Sequence, residues 1–264
     1  MEPLARIEAR LHSLSELGAL LGALRSMAAS RLQEATQAVE GARAFAATIA
    51  DAISAAAPLA PRSADAPGDG GAALLVIGSE LGFVGGFNAR LIRRAQDVVG
   101  PRERVVLIGR RGQTTATEQG LEFVEGLPMI THPAAASAAA LRIAERLEEA
   151  GEVRLLHTRH ERSAMPAAVL RTILPVSVEG RGGGTASPPL HHLPPEKLLR
   201  LLAREYLFAE IAAALVESLA AESVVRMRTL DAASRNISDR LERLTREAHM
   251  ARQEETTAEM LDVV

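Results

Sequence analysis

The residues that could do chemistry are few, and each group falls short of a site. Gly78-Ser-Glu-Leu-Gly-Phe-Val-Gly-Gly-Phe-Asn88 follows a predicted strand and precedes a predicted helix, where a phosphate-binding loop would sit. No Lys-Ser or Lys-Thr follows its glycines, and Gly82, Gly85 and Gly86 do not space as GxGxxG. The simpler reading is a tight turn that needs glycine's backbone freedom; nucleotide binding is the weaker one. His157 and His160 lie near a strand end, and His191-His192 in a linker. A metal needs three or four ligands in a definite geometry; the chain has no cysteine, and paired histidines with at most one neighbouring carboxylate, Glu161, are weak evidence for one. Arg252-Gln253-Glu254-Glu255 is polar on several faces. It reads either as a solvated helix end or as an arginine fork with a glutamine, able to hold a partner's carboxylates. No Ser/His/Asp order and no carboxylate pair stands out, so the chain carries no self-sufficient active site.

Composition narrows the classes. The 264 residues are 47% hydrophobic but only 2% aromatic, with alanine filling much of the apolar share. Such helices suit close, extended helix-helix contacts better than a bulky core. Lys197 is the only lysine, so the cations are almost all arginine. The formal net charge of −3 gives no reason to expect a nucleic-acid partner. With no cysteine, disulfides, thiol nucleophiles and thiolate metal sites are excluded. Met1-Glu2-Pro3 does not open a signal pattern. The most apolar long stretch, Tyr206 to Val225, carries Glu210, Glu217 and Glu222, which argues against a membrane span. A soluble intracellular protein is expected, one that can still sit on a membrane complex.

Long helices must position these groups. Glu196 to Val264 runs sixty-nine residues without glycine or proline, enough for one helix of roughly 100 Å. A helix of that length needs another surface over its apolar side. The N-terminal stretch from Leu4 supplies it: Ile7, Leu11, Leu14, Leu17, Leu21, Leu24, Ala28 and Leu32 step by threes and fours. Gly18 and Gly22, four apart, either let a partner backbone approach or are simply tolerated. Ile237, Leu241, Leu244, Ala248 and Ala251 show heptad spacing, so the two end helices are expected to pair as an antiparallel coiled coil. Between them, 58–71 and 180–195 are rich in proline and glycine and read as linkers, with Pro195 placed for a first helical turn. The short apolar runs at Ala73–Ile77, Arg104–Gly109, Val153–His157 and Ala167–Val176 read as strands. They alternate with helices at Asn88–Val99, Arg111–Gln119 and Ala134–Ala150. That alternation predicts a parallel-type, Rossmann-like α/β domain inserted between the helices. The expected divisions are residues 1–57, 72–178 and 195–264.

Three stretches carry a resemblance to a known family. Leu24-Arg-Ser-Met-Ala-Ala-Ser-Arg-Leu32, Ser79 to Asn88, and Leu215-Val-Glu-Ser-Leu-Ala-Ala-Glu-Ser-Val-Val-Arg-Met227, with Ala251-Arg-Gln253 and Thr257 to Leu261 beyond it, resemble the gamma subunit of F-type ATP synthase. The resemblance spans nearly the whole chain. It implies a non-catalytic rotor shaft without a cofactor. Such a shaft turns inside a ring of three alpha and three beta subunits and pushes each beta through its nucleotide states. The α/β domain would stand as a foot on the membrane c-ring beside epsilon, at the cytoplasmic face of a bacterial membrane. By position, Arg252 and Gln253 would face beta; Glu222 and Arg226 match the family pattern and are placed on the beta side with them, as is Arg25. His191 and His192 would lie toward the rotor ring and epsilon. Arg25 stands where the family usually has Glu, Leu24 where it has Met, and Arg31 where it has Lys. The usual tail after Val264 is missing and the His191-His192 linker is less acidic, which marks a divergent member. The rival reading is a coiled-coil scaffold or a nucleotide-responsive α/β switch with helical arms.

Overall fold

The structure, a computed structural model, describes residues 4–59, 70–160, 165–176 and 190–262. Two helices bracket the chain, α1 (Leu4–Ala56) and α5 (Pro195–Asp262). Pro195 opens α5, where its missing N–H costs nothing. The chain groups into two compact units, one of Met1–Ala29 with Arg226–Val264 and one of Ser30–Val225.

In the first unit the two ends of the chain pair. Ile7 packs with Leu244 and Ala251, flanked by Leu4, Leu11, Leu14 and Ala248. Leu21 packs with Leu230 and Ile237, flanked by Leu24, Ala233 and Leu241. Later residues of α1 meet earlier residues of α5, so the pair is antiparallel, and its seam follows the apolar stripe the spacing predicts except at Leu17, which is exposed. Gly18 and Gly22 do not serve a close backbone approach. A Cβ on Gly18 would meet only the Ile237 side chain, at 3.6 Å, and one on Gly22 would meet nothing within 4 Å.

The second unit is built on a five-stranded sheet ordered β3-β2-β1-β4-β5. Its strands are β1 (Ala72–Ile77), β2 (Arg104–Ile108), β3 (Glu125–Leu127), β4 (Glu152–Arg159) and β5 (Ala167–Leu174). β1 to β4 are parallel, as the alternation predicts. β5 departs from it by running antiparallel to β4. The cause is length: residues 160–166 are too few for the crossover a parallel partner needs. β3, only three residues long, has no apolar run to announce it. The helices α2 (Phe87–Val98), α3 (Arg110–Gln119) and α4 (Ala136–Leu147) fall within a residue or two of expectation, except that Pro133–Ala135 forms a separate 3-10 turn before α4 and α4 ends three residues short of Ala150.

Side chains alternate cleanly across the sheet. Leu74, Val76, Val105, Leu107 and Leu156 join Leu91, Ile92 and Ala116 on the face covered by α2 and α3. Ala73, Leu75, Ile77, Val106, Ile108, Val153 and Leu155 face the other way. There they pack with Ile143 and Leu147 of α4, with Ala50 and Ile53 of α1, and with Leu207, Ile211 and Leu215 of α5. Between Tyr206 and Val225 α5 is buried on nearly every side. This explains a run that is apolar all round yet is no membrane span. Among the described residues no helix is long and apolar enough to cross a membrane.

Candidate functional site

Three buried carboxylates interrupt that apolar run, at 5% (Glu210), 7% (Glu217) and 3% (Glu222) exposure. A buried charge is costly unless it is paired and hydrogen-bonded. Glu210 receives Arg171 of β5, Nη1 at 2.8 Å and Nη2 at 3.0 Å. Glu217 receives Arg43 of α1 and, at 2.9 Å, the Nε2 of His157 on β4. The pairings follow from strand alternation, because His157 and Arg171 point to the same face as Val153 and Leu155. Burial pushes the Glu217 carboxyl up. The hydrogen bonds and charges of His157 and Arg43 more than offset it, leaving the pKa at about 2. Glu217 is therefore ionised at physiological pH and fastens α1, β4 and α5 together. On the opposite face, burial likewise raises the Glu103 carboxyl, and Arg154 overrides it to a net depression. Arg154 also donates to the Val98 carbonyl at 2.8 Å.

The glycine turn is occupied by its own protein. Ser79 N–H donates to Asn88 Oδ1 at 3.0 Å, and Asn88 Nδ2 donates to Ser79 Oγ at 2.8 Å. Glu80 accepts the backbone N–H of Arg110 at 3.1 Å and of Met129 at 2.9 Å. Gly109 closes the arrangement at φ 96°, where a Cβ would stand 2.6 Å from the Ser79 carbonyl oxygen. Ser79, Glu80 and Asn88 thus tie β1, α2 and the strand-end loops together. Phe83, at φ 60°, is left 58% exposed.

The residues singled out in the sequence fall in three places. Arg252 and Gln253 are exposed on α5, with Arg252 donating to Glu8 of α1. Arg25 is exposed as well and pairs with Asp231, so its positive charge is matched within the chain. Glu222 and Arg226, at 3% and 6% exposure, are turned into this chain. His191 and His192 are exposed before α5, beside an apolar hollow of about 470 Å³ floored by Ala52, Ala55, Leu198 and Leu202. They are brought together with neither His157 nor His160. Among the described residues no three His, Asp or Glu side chains gather as metal ligands would. Sequence reasoning missed the Glu217–His157–Arg43 and Glu210–Arg171 links. Their one signal was three glutamates inside an apolar run, used only to argue against a membrane.

The arrangement holds long helices firmly to a small sheet and leaves the paired chain ends with a polar, arginine-bearing surface. Comparison with known proteins agrees with that build. A family model described as ATP synthase matches residues 3–264. The ATP synthase gamma chain of Frankia casuarinae is 29% identical over 280 residues, spanning 97% of this chain and 93% of its own. That of Paracoccus denitrificans is 27% identical over 286 residues, spanning 100% and 98%. Among solved structures, a chain of the Euglena gracilis mitochondrial ATP synthase rotor superposes with a TM-score of 0.70 at 12% identity, covering 96% of this chain and 98% of that one. A chain of the Tetrahymena thermophila mitochondrial ATP synthase central stalk and c-ring gives 0.60 at 19% identity, covering 81% and 99%. The solved structures carry the fold and the family match carries the kinship: the chain belongs to the ATP synthase family, and the relatives it resembles over nearly their full length are gamma chains.

Proposed function

We propose that the chain is the non-catalytic central-stalk gamma subunit of an F-type ATP synthase, peripheral to the membrane on the cytoplasmic face of a bacterial cell. It couples rotation of the membrane c-ring to nucleotide turnover in the ring of alpha and beta subunits. The observation that carries this reading is the match over residues 3–264, joined to an antiparallel pairing of the two chain ends. Residues 1–57 and 195–264 form the shaft and 72–178 the foot, which meets the c-ring and epsilon, with His191 and His192 on that side. The shaft end also exposes Leu17 at 44%, Leu20 at 55%, Met27 at 52% and Met250 at 56%. Apolar groups left in water on a narrow helical pair suit a surface enclosed by other subunits. Arg252 and Gln253 make the contact with beta. Arg252 exchanges Glu8 for a carboxylate of beta as the shaft turns, so that successive positions favour different beta conformations through differential contacts. Arg25 lies on the same shaft, and Glu222 and Arg226 support its base from within.

Co-expression with alpha and beta subunits, followed by sizing and an ATPase assay, tests the reading. The expected result is a stable complex whose ATPase activity requires this chain. A chain that elutes alone, beside alpha and beta that assemble with each other, would overturn it in favour of a coiled-coil scaffold.

A further inference from the structure

The geometry points to a docking groove between α4 and α5, on the α/β unit, that takes a basic amphipathic helix of a partner protein. The groove encloses about 540 Å³, room for several side chains. Its apolar lining comes from Ala138 and Leu141 of α4 and from Leu201, Leu207 and Phe208 of α5. Leu141 and Leu201 stand 52% and 44% exposed, although both helices bury their other faces in the core. The lining is preformed: the Phe208 ring is braced edge-on by Phe45, with centroids 6.3 Å apart at 81°.

The rim decides the chemistry of the occupant. It carries Glu145, Glu148 and Glu205 against one cation, Arg204. The Arg204 guanidinium is already engaged, Nε standing 3.1 Å from Glu148 Oε1. Glu145 and Glu205 remain exposed with their charge turned to solvent. An apolar floor between acidic edges complements a segment with leucine-like residues on one side and Lys or Arg beside them. The secondary structure of the occupant follows from the walls. α4 with its C-cap Glu148 presents 138, 141, 145 and 148 and α5 presents 201, 204, 205 and 208, both as rows at helical spacing. A third helix can lay its ridge between such rows. This goes beyond the shaft reading, since the groove lies wholly within Ser30–Val225 and takes no residue from the paired ends Met1–Ala29 and Arg226–Val264.

The test uses the full chain and two probe peptides, one helical with leucines on one face and lysines on the other, the second with glutamates replacing the lysines. Fluorescence anisotropy should show the lysine peptide binding and the glutamate peptide not. Leu141→Asp or Leu201→Asp should weaken binding about tenfold or more, as loss of a central apolar anchor does. Glu145→Gln with Glu205→Gln should weaken it several-fold at low salt and little at high salt. Circular dichroism and a melting curve on each variant establish that it folds, and both leucines are exposed enough to be replaced. Equal binding of both peptides, or lysine-peptide binding that none of these variants alters, overturns the proposal. Because the chain has no cysteine, Ser137→Cys carrying a photo-crosslinker reports the native occupant in the assembled complex. Adducts to a basic helical segment of another subunit are expected. Adducts only to a second copy of this chain, or to an acidic segment, would contradict the proposal. ATPase activity of the complex with alpha and beta alone should be unchanged by Leu141→Asp, so failure here is separable from failure of the shaft reading.

Discussion

Glu217 shows how a single side chain joins sequence, fold and stability. Its pKa of about 2 lies below the ordinary 4.5, so the folded state binds that proton more weakly than the unfolded chain does. The sign follows: the stabilisation is fully present above about pH 4.5 and is lost as pH falls toward 2, on the order of 3 kcal/mol in all. Glu217→Gln should therefore lower the melting temperature at pH 7 and flatten the acid limb of the stability curve between pH 4.5 and 2. An unchanged acid limb would show that His157 and Arg43 do not hold the carboxylate. At the shaft end, Arg252→Ala with Gln253→Ala should slow ATP turnover of the assembled complex while leaving the melting temperature of the chain within about a degree or two, since the exposed Arg252–Glu8 pair is worth at most about 1 kcal/mol. These two residues were legible in sequence as an arginine-glutamine pair in a polar helix end. The Glu217 network was not, because its partners lie 60 and 174 residues away and no local pattern links them.

Among the elements, glycines separate required backbone geometry from tolerance. Gly22 sits inside α1 with open space where a Cβ would go. Gly22→Ala should stabilise the chain by roughly 0.5–1 kcal/mol by removing helix-interior flexibility, read as a higher denaturant midpoint. Gly109→Ala should do the opposite. Its φ of 96° and the 2.6 Å approach to the Ser79 carbonyl oxygen leave no relaxed position for a methyl group, and a loss of about 2 kcal/mol or more is expected. Element type was readable wherever period was strong. The heptads gave the paired ends, and the apolar runs gave β1, β2 and β4. β5 was readable as a strand but not in its direction, which the short connection at 160–166 sets. β3 escaped because Glu125-Gly126-Leu127 is only three residues long, too short to show a period. The Gly18 and Gly22 pair invited a close-packing interpretation that the side chains do not support.

For the whole molecule, the economy of chemistry is itself informative. The buried charges serve as fasteners, Ser79, Glu80 and Asn88 of the glycine turn bond within the chain, and Arg25 and Arg252 stand exposed on the paired ends. The family placement was legible because the matched stretches Leu24–Leu32, Ser79–Asn88 and Leu215–Met227 lie at the helix pairing, the sheet's first turn and the buried part of α5. The acidic groove between α4 and α5 was not legible, since it needs residues from two distant helices brought side by side. Truncating the chain by removing residues 254–264 should weaken coupling more than folding, since Glu254, Glu255, Thr256, Thr257 and Met260 are all exposed. ATPase activity of the complex should become less dependent on this chain while its melting temperature changes little.

The most direct measurement is rotation itself. The chain lacks cysteine, so Val124→Cys, at a position 66% exposed on the α/β unit, offers a single attachment point for a bead while the alpha and beta ring is fixed to a surface. On addition of ATP the account predicts unidirectional turning of the bead, with one pause per beta subunit in each revolution. A complex that hydrolyses ATP while the attached bead shows only undirected fluctuation would contradict the assignment of this chain as the rotating shaft.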